Sequence, residues 1–405
     1  MITKIATYLP LWQGKKGLRA AGHDEDAVTM AVAAGIQVLE GTKPASVVLV
    51  TRQPALLEGG SSAVICAGLG IPETTNVVEQ IGGAAALLDA ITSATTNTLV
   101  LGVDVDYNSG AGAGAVLIGD DNAISFITRI QRSLPTRTRH HDGSVYQDDD
   151  ARLTRERGIK EAFLRADLTV KPQLLAGLPL KGGKAFCNAP AIDAALDLPT
   201  IGASSPIFAL ALLADHQAFG VMAGFDQASL SVATLNSAIA VKRLEPKAQA
   251  KPNTHFNEGS DIKMALAAYD RAFESKLKLE AGCCNDCGTL AMPARYRCIN
   301  CGSENNSSLT PLPRLAEAYT TVTIHIPIPG LVTPYSLVMA QLEGTDVRIL
   351  VTQTDAAPDT VAIGDKGAMV FRRVALRTGV PDYGYSFSPL AEQIAQATNN
   401  REETA

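Results

Sequence analysis

Short apolar runs alternate with helix-like stretches along residues 1 to about 243. Residues 47–50 and 98–103 are continuously apolar, as in strands that are covered on both faces. Between them, residues 61–69 and 83–93 have the length and apolar spacing of helices. The pattern therefore predicts an α/β fold in which helices cover a layered sheet.

Two parts of this region repeat one order of predicted elements: a helix, a strand, a turn rich in small residues and a second strand. The first copy covers residues 83–119 and the second covers residues 202–235. A duplicated α/β fold, with two sheets on either side of central helices, explains the repetition. The alternative is the general similarity of all α/β proteins.

The character of the chain changes after residue 243. Residues 244–260 are polar and contain prolines, which predicts a linker. A helix is expected in the first part of 261–309, a segment that also holds the clustered cysteines. Residues 310–390 contain several short alternating strands with turns between them, which favours a small β-barrel of the OB type. The polar tail, 391–405, is expected to fray.

Four cysteines form the strongest local signal. Cys284 and Cys287 make one Cys-x-x-Cys pair, and Cys298 and Cys301 make a second one, with ten residues between the pairs. A glycine follows each pair and lets the backbone turn around a metal ion. This spacing predicts a zinc ribbon. Because four thiolates leave no open coordination position, the zinc is expected to be structural. Cys283 could compete with Cys284 as a ligand.

Charge and hydropathy narrow the class of protein. The 405 residues carry a net charge of −6, with 46% hydrophobic and 19% charged residues. This balance argues against general affinity for nucleic acid or anionic membranes. No apolar run approaches the ~18 residues of a membrane span, and the N-terminus lacks a secretory pattern. We expect a cytoplasmic protein with reduced thiols and with no nucleic-acid or membrane partner.

The C-terminal part resembles a known module. A helix before two cysteine pairs, followed by strands and by Gly364-Asp-Lys-Gly, is similar to the acyl-CoA-associated domain that joins a rubredoxin-like zinc ribbon to an OB fold. By this resemblance the module accompanies thiolases and thiolase-like aldolases. It helps to hold the acyl-CoA, so that a coenzyme A thioester is the implied ligand or substrate.

Residues 1–243 resemble the thiolase superfamily, in the branch of hydroxymethylglutaryl-CoA synthase and ketoacyl synthase III. The resemblance lies in residues 24–34, which begin Asp-Glu-Asp-Ala-Val-Thr, in residues 67–72 and in residues 110–119. It implies a duplicated layered fold. It also implies dimers that pair through a strand, and a nucleophilic cysteine at the start of the helix predicted over 83–93.

The nucleophile and its partners are missing from the implied positions. Gln80 stands where the cysteine is expected, and neither the histidine near Gly177 nor the asparagine near Pro199 is present. Cys66 lies in an apolar pattern that is typical of a core thiol. His140 and His141 lie in a charged stretch that predicts a surface loop, although they could instead line a pocket. His216 and Cys187 are further candidates, and ordinary structural roles are favoured for both.

Three hypotheses follow. The first is a non-catalytic or weakly catalytic subunit of an acyl-CoA thiolase, acyltransferase or aldolase complex, whose partner is a catalytically complete thiolase-like subunit. The second is an active transferase of the hydroxymethylglutaryl-CoA synthase type with a displaced active site. The third is a scaffold that does not bind coenzyme A. In each case we expect a homo- or hetero-oligomer.

Overall fold

The computed structural model describes residues 3–56, 59–134, 137–139, 144–147, 150–178, 183–188, 192, 197–257, 263, 265–304, 307–326, 328–329 and 331–390. By their internal contacts they fall into two compact units. The first unit is Met1–Ala21, Ala34–Ser62 and Thr74–Ala248, and the second is Gly22–Ala33, Ala63–Glu73 and Gln249–Ala405. Two segments from the N-terminal half thus belong to the second unit. The domain boundaries expected from the sequence stay a prediction.

The elements up to residue 248 are, in chain order, β1 (Lys4–Tyr8), β2 (Trp12–Gln13), β3 (Arg19–Ala20), α1 (Ala27–Leu39), β4 (Ser46–Thr51), α2 (Ser62–Leu69), β5 (Asn76–Ile81), α3 (Ala84–Ser93), β6 (Thr98–Asp104), β7 (Gly112–Leu117), β8 (Ile124–Ile130), β9 (Arg137–Arg139), β10 (Val145–Gln147), α4 (Ala151–Thr154), α5 (Glu156–Arg165), β11 (Leu174–Ala176), α6 (Ser205–Asp215), β12 (Gly220–Asp226), β13 (Ser229–Leu235) and β14 (Ala240–Leu244). The two helices and two strands predicted between residues 47 and 103 are all present.

The first unit contains a six-stranded sheet and a four-stranded sheet. The six strands follow the order β14-β1-β7-β6-β4-β5, and the four strands follow the order β11-β12-β13-β8. The expected repeat is visible in them. In one copy α3 leads to the antiparallel pair β6 and β7, and in the other α6 leads to the antiparallel pair β12 and β13.

Helices α3 and α6 share one apolar core with both sheets. The helices contribute Leu87, Leu88, Ile91, Ile207, Leu210 and Leu213, and the sheets contribute Ile5, Val50, Val100, Val116, Leu174, Met222, Ala233 and Leu235. Burial of each large apolar side chain stabilises the fold by about 1.5–3 kcal/mol. The layered, duplicated fold is therefore the one expected, with central helices between two sheets.

The elements after residue 248 are β15 (His255–Phe256), α7 (Leu266–Arg271), a π-helical turn (Glu274–Lys278), β16 (Glu280–Cys284), β17 (Leu290–Ala291), β18 (Ser307–Pro311), β19 (Leu315–Ile324), β20 (Val332–Thr333), β21 (Tyr335–Leu342), β22 (Arg348–Thr352), β23 (Lys366–Arg377) and β24 (Val380–Ser388). The predicted linker contains β15, which pairs with β20. Of the predicted helix, the described part consists of α7 and the π-helical turn.

Two sheets form the C-terminal part of the second unit. A small sheet has the order β17-β16-β18, and a five-stranded sheet has the order β22-β21-β19-β23-β24. The ends of the larger sheet approach each other. Gln353, after β22, forms a parallel bridge with Phe387 of β24, and the amide of Thr354 donates to the Phe387 carbonyl at 2.9 Å. The sheet is thus curved towards closure, and its OB type stays a prediction.

The acidic segment before α1 is buried in the second unit. Asp24, Glu25 and Asp26 are only 8%, 2% and 4% exposed. Asp26 Oδ1 accepts the amides of Val28 and Thr29 at 3.0 Å each and so caps α1. Its Oδ2 accepts the hydroxyl of Tyr383 at 2.9 Å. Burial and the Asp26 carboxylate raise the pKa of Tyr383, which keeps the phenol a hydrogen-bond donor.

Arg372 compensates the buried acidic charge. Its Nη2 donates to both carboxylate oxygens of Asp355 at 3.1 and 3.0 Å, and its Nε lies 3.7 Å from Asp24 Oδ2. Burial opposes ionisation of Asp24, but His23 and Arg372 outweigh it and lower the pKa of Asp24. The family-like acidic motif therefore has a structural function here: it holds residues 22–33 to the strands of the second unit.

Loss of the Arg372 charge should destabilise the second unit. Because Arg372→Met leaves buried carboxylates without their cation, we expect a loss of about 3–5 kcal/mol, measured by urea-induced unfolding followed by circular dichroism. Arg152→Met is the control, since Arg152 is 76% exposed in its pair with Asp150 and should change stability by less than about 0.5 kcal/mol. Equal effects of the two substitutions would contradict this account.

Candidate functional site

Two matching turns position the four predicted zinc ligands. Cys284 ends β16, and the amide of Gly288 donates to its carbonyl at 2.8 Å. In the second turn the amide of Gly302 donates to the carbonyl of Cys298 at 3.1 Å. Gly288 and Gly302 have φ angles of 71° and 76°, a region that favours glycine. Each glycine thus allows the turn that brings its two cysteines together.

The four sulfur atoms form one compact cluster. All of them lie within 4.8 Å of one another. Cys284 Sγ is 3.7 Å from Cys301 Sγ, and Cys287 Sγ is 3.6 Å from Cys298 Sγ. A tetrahedral zinc with Zn–S bonds of about 2.3 Å separates its sulfurs by about 3.8 Å. The cluster therefore fits zinc, and Cys284, Cys287, Cys298 and Cys301 would hold it.

The structure also separates Cys283 from the cluster. Cys283 and Cys284 are neighbours in β16, so their side chains point to opposite faces of the strand. Cys283 Sγ lies 3.7 Å from the carbonyl of Gly288 instead of joining the other sulfurs. Within the cluster, the hydroxyl of Thr289 lies 3.2 Å from Cys287 Sγ. This contact lowers the pKa of Cys287 to about 6, which favours the thiolate that binds metal.

The remaining predicted site residues do not come together. Gln80 lies in β5, which forms an edge of the six-stranded sheet, and its side chain is exposed. Cys66 is buried in α2, as expected of a core thiol. Cys187 is also buried, and His216 follows the last residue of α6. His140 and His141 lie outside the described residues.

An ion pair lies at the N-terminus of α3, beside the region where the resemblance implied a nucleophile. Arg52, just after β4, pairs with Asp226 at the end of β12. A Cβ atom added to Gly83, the residue before α3, would lie 2.6 Å from Arg52 Nη2 and would also collide with Asp226. A side chain is excluded at Gly177 in the same way, because an added Cβ atom would lie 2.7 Å from Ala84 Cβ. The structure therefore leaves no room for a side chain at either glycine without rearrangement.

The N-terminus of α6 is capped by a carboxylate from β6. Asp104 accepts the amides of Ala203 and Ser204 at 2.8 and 2.9 Å, and the Ser204 hydroxyl at 2.6 Å. Burial raises the pKa of Asp104, and the hydrogen bonds from Ser204 and Ala203 oppose that shift. The sequence contained a signal for this arrangement, because β6 and β12 both end in Gly-x-Asp. Sequence reasoning missed Arg52, Asp104 and Asp226.

Comparisons with known proteins agree with this geometry. Residues 275–307 match the family described as ChsH2, rubredoxin-like zinc ribbon domain. A DUF35 domain-containing scaffold protein of Methanothermobacter thermautotrophicus is 27% identical over 123 residues, which cover 29% of this chain and 92% of that protein. Among solved structures, an Ltp2-ChsH2(DUF35) aldolase is similar with a TM-score of 0.26 and 20% identity, over 32% of this chain and 95% of that one.

The N-terminal part has different neighbours. The 3-oxoacyl-(acyl carrier protein) synthase III, FabH, of Pseudomonas aeruginosa PAO1 is similar with a TM-score of 0.44 and 16% identity, over 60% of this chain and 100% of that one. AbyA1, a tetronic acid condensing enzyme, is similar with a TM-score of 0.44 and 17% identity, over 57% of this chain and 97% of that one. The zinc ribbon expected from the sequence is confirmed by the family match over residues 275–307. The specific likeness to hydroxymethylglutaryl-CoA synthase stays a prediction.

We predict one zinc ion per chain, bound by the four clustered cysteines. Cys298→Ser should lose the metal and unfold the ribbon, because three thiolates no longer close the tetrahedral site. Cys283→Ser is the matched control and should keep the metal. Elemental analysis of the purified variants measures both. Retained zinc in the first variant, or lost zinc in the second, would show that the ligand assignment is wrong.

Proposed function

We propose that the chain is a non-catalytic or weakly catalytic subunit of an acyl-CoA thiolase, acyltransferase or aldolase complex. The observation that carries this proposal is the contrast between two sites. The zinc ribbon keeps all four ligands, whereas the N-terminus of α3 has an ion pair and tightly packed glycines in place of a nucleophile and a base. A sequence relative described as a scaffold protein supports the same conclusion for the ribbon-bearing part.

The edge strand β5 is the proposed partner interface. It pairs with β4 along its whole length and is the last strand of its sheet. Val78 and Ile81 on this strand are 45% and 72% exposed. An exposed edge with apolar side chains is a template for pairing with a strand of another chain. We propose that a catalytically complete thiolase-like subunit pairs there.

The five-stranded sheet is proposed to be an OB-type barrel. Strands β19, β21 and β22 form a meander, and β23 pairs with the other side of β19. Strand β24 then approaches β22 through the parallel bridge between Gln353 and Phe387. This order is that of a partly open five-stranded Greek-key barrel.

A cytoplasmic location also stays part of the proposal, because the four thiolates must be kept reduced. Among the described residues, no helix is long and apolar enough to cross a membrane.

Of two clefts in the second unit, one suits an acyl-CoA. A cleft of 510 Å³ is lined by Lys276 and Arg348 and by apolar side chains that include Leu279, Met292 and Leu350. A second cleft, of 980 Å³, is lined by Glu317, Glu343 and Asp346 with a single lysine, Lys366. The carboxylates of the larger cleft repel phosphate groups, whereas the two cationic side chains of the smaller cleft attract them. We therefore place the acyl-CoA in the smaller cleft.

Arg348 is the more available cation of that cleft. Lys276 pairs with Asp382, whereas Arg348 stacks on the ring of Tyr319 at 3.6 Å and donates from Nε to Gln341 at 2.6 Å. These contacts orient the guanidinium and leave it exposed, so that it can meet a phosphate. The apolar wall beside it suits the acyl and pantetheine chain.

Charge reversal at Arg348 should weaken coenzyme A binding. We expect Arg348→Glu to raise the dissociation constant of acetyl-CoA about tenfold or more, since a hydrogen bond to a charged group contributes about 1.5–3 kcal/mol. Isothermal titration calorimetry measures it. Lys366→Glu, in the acidic cleft, is the matched control and should have little effect. If the wild-type chain, with its partner present, shows no saturable binding, it is a scaffold without coenzyme A affinity.

Substitution of Val78 and Ile81 by lysine should dissociate the complex. Purification from the native host, with mass spectrometry of the co-eluting proteins, should recover a thiolase-like subunit that has its own cysteine and histidine. The double variant Val78→Lys, Ile81→Lys should lose that subunit because charges on an edge strand oppose its pairing with another strand. Ile363→Lys, at a residue 69% exposed in the second unit, is the control. A covalent acyl adduct on a cysteine of the isolated chain would instead support an active enzyme with a displaced site.

A further inference from the structure

In the first unit, one strand of each repeat ends beside the N-terminus of the central helix of the other repeat. A Cβ atom at Gly102 in β6 would lie 2.6 Å from the carbonyl oxygen of Ala203, just before α6. A Cβ atom at Gly224 in β12 would lie 2.7 Å from the carbonyl oxygen of Ala84, the first residue of α3. Each central strand therefore ends against the helix of the other repeat, and each ends in an aspartate, Asp104 or Asp226.

The two aspartates meet their helices differently. Asp104 accepts two amides and a hydroxyl and is the cap of α6. The cap residue of α3 is Gly83, which has no side chain. Asp226 reaches the same place with one oxygen next to Gly83, and its other oxygen is held by Arg52. The side chains of Asp226 and Arg52 are only 14% and 28% exposed, so water screens them weakly.

We propose that Asp226 is an internal counter-charge at the N-terminus of α3, where it takes the position of an N-cap side chain and suppresses the positive potential that would otherwise activate a thiol there. A helix N-terminus carries about half a positive charge, and Arg52 adds a full one. Without Asp226 this point would strongly favour an anion. With Asp226 present, the chain supplies the anion itself.

This inference rests on the proposed non-catalytic function and explains it in a second way. The loss of a nucleophile is a change of residue type, which one substitution could reverse. A fixed carboxylate beside the helix N-terminus also removes the electrostatic reason for a thiolate to form. A cysteine introduced at residue 83 would therefore stay poorly reactive while Asp226 remains.

A cysteine probe at residue 83 tests the inference in the full chain. Peptide-resolved mass spectrometry follows the alkylation of Gly83→Cys by iodoacetamide as a function of pH, with the zinc site loaded. We expect Gly83→Cys, Asp226→Asn to react about tenfold faster at pH 7 than Gly83→Cys alone, because thiolate formation follows the local charge. Gly83→Cys, Arg52→Gln should react more slowly than Gly83→Cys alone.

The control removes a carboxylate elsewhere in the unit. Asp215, at the end of α6, pairs with Arg243 and is 52% exposed, so Gly83→Cys, Asp215→Asn should react like Gly83→Cys alone. Equal reactivity of the Asp226 and Asp215 double variants would overturn the inference. That result would leave the proposed function untouched, since the latter is tested by partner recovery and by acyl adducts on the unmodified chain.

A second measurement covers the case in which the probe cysteine prevents folding. Gly83→Ala should lower the melting temperature because its Cβ displaces the ion pair, and the double variant with Asp226→Gly should lose clearly less than the sum of the two single losses, since the Cβ and the carboxylate compete for one position. Additive losses in the two variants would show that Asp226 does not occupy this position and would also overturn the inference.

Discussion

Two helices whose N-termini lie inside the protein impose the central constraint on the first unit. The first amides of a helix have no partner within it, and a buried helix end must find one. For α6 that partner is Asp104, with two amides within 2.9 Å. At α3 the carboxylate of Asp226 lies against Gly83, held by Arg52. The close approach of strand and helix that this requires explains the glycines at 102 and 224, because a side chain at either would collide with backbone.

The same constraint bears on function. A buried helix N-terminus is a ready site for an anion or a thiolate. Here Asp104 accepts the amides before α6, and the carboxylate of Asp226 lies beside the N-terminus of α3. The first unit also has the exposed edge strand β5, which is the basis for the proposed role as a partner-binding subunit.

The second unit depends on two different charge-neutralising centres. Four thiolates would be gathered by one zinc ion, which would hold the three-stranded ribbon together. Arg372 gathers the carboxylates of Asp24 and Asp355 under the curved sheet. Because breaking a buried ion network leaves charges without partners, both centres favour one arrangement of the strands. One cleft of the second unit is the proposed site for acyl-CoA.

The sequence by itself determined the four paired cysteines, the duplicated α/β order and the absence of a cysteine at the expected helix. These features depend on spacing and on apolar periodicity within short stretches, which local geometry governs. It did not reveal Arg52, Asp104 and Asp226, although the repeated Gly-x-Asp was present, nor the role of the Asp24 motif. Asp226 is 174 residues from Arg52, and Tyr383 is 357 residues from Asp26. Only the tertiary structure decided these pairings, because a charge finds its partner through the packing of whole sheets and helices, which no local pattern encodes.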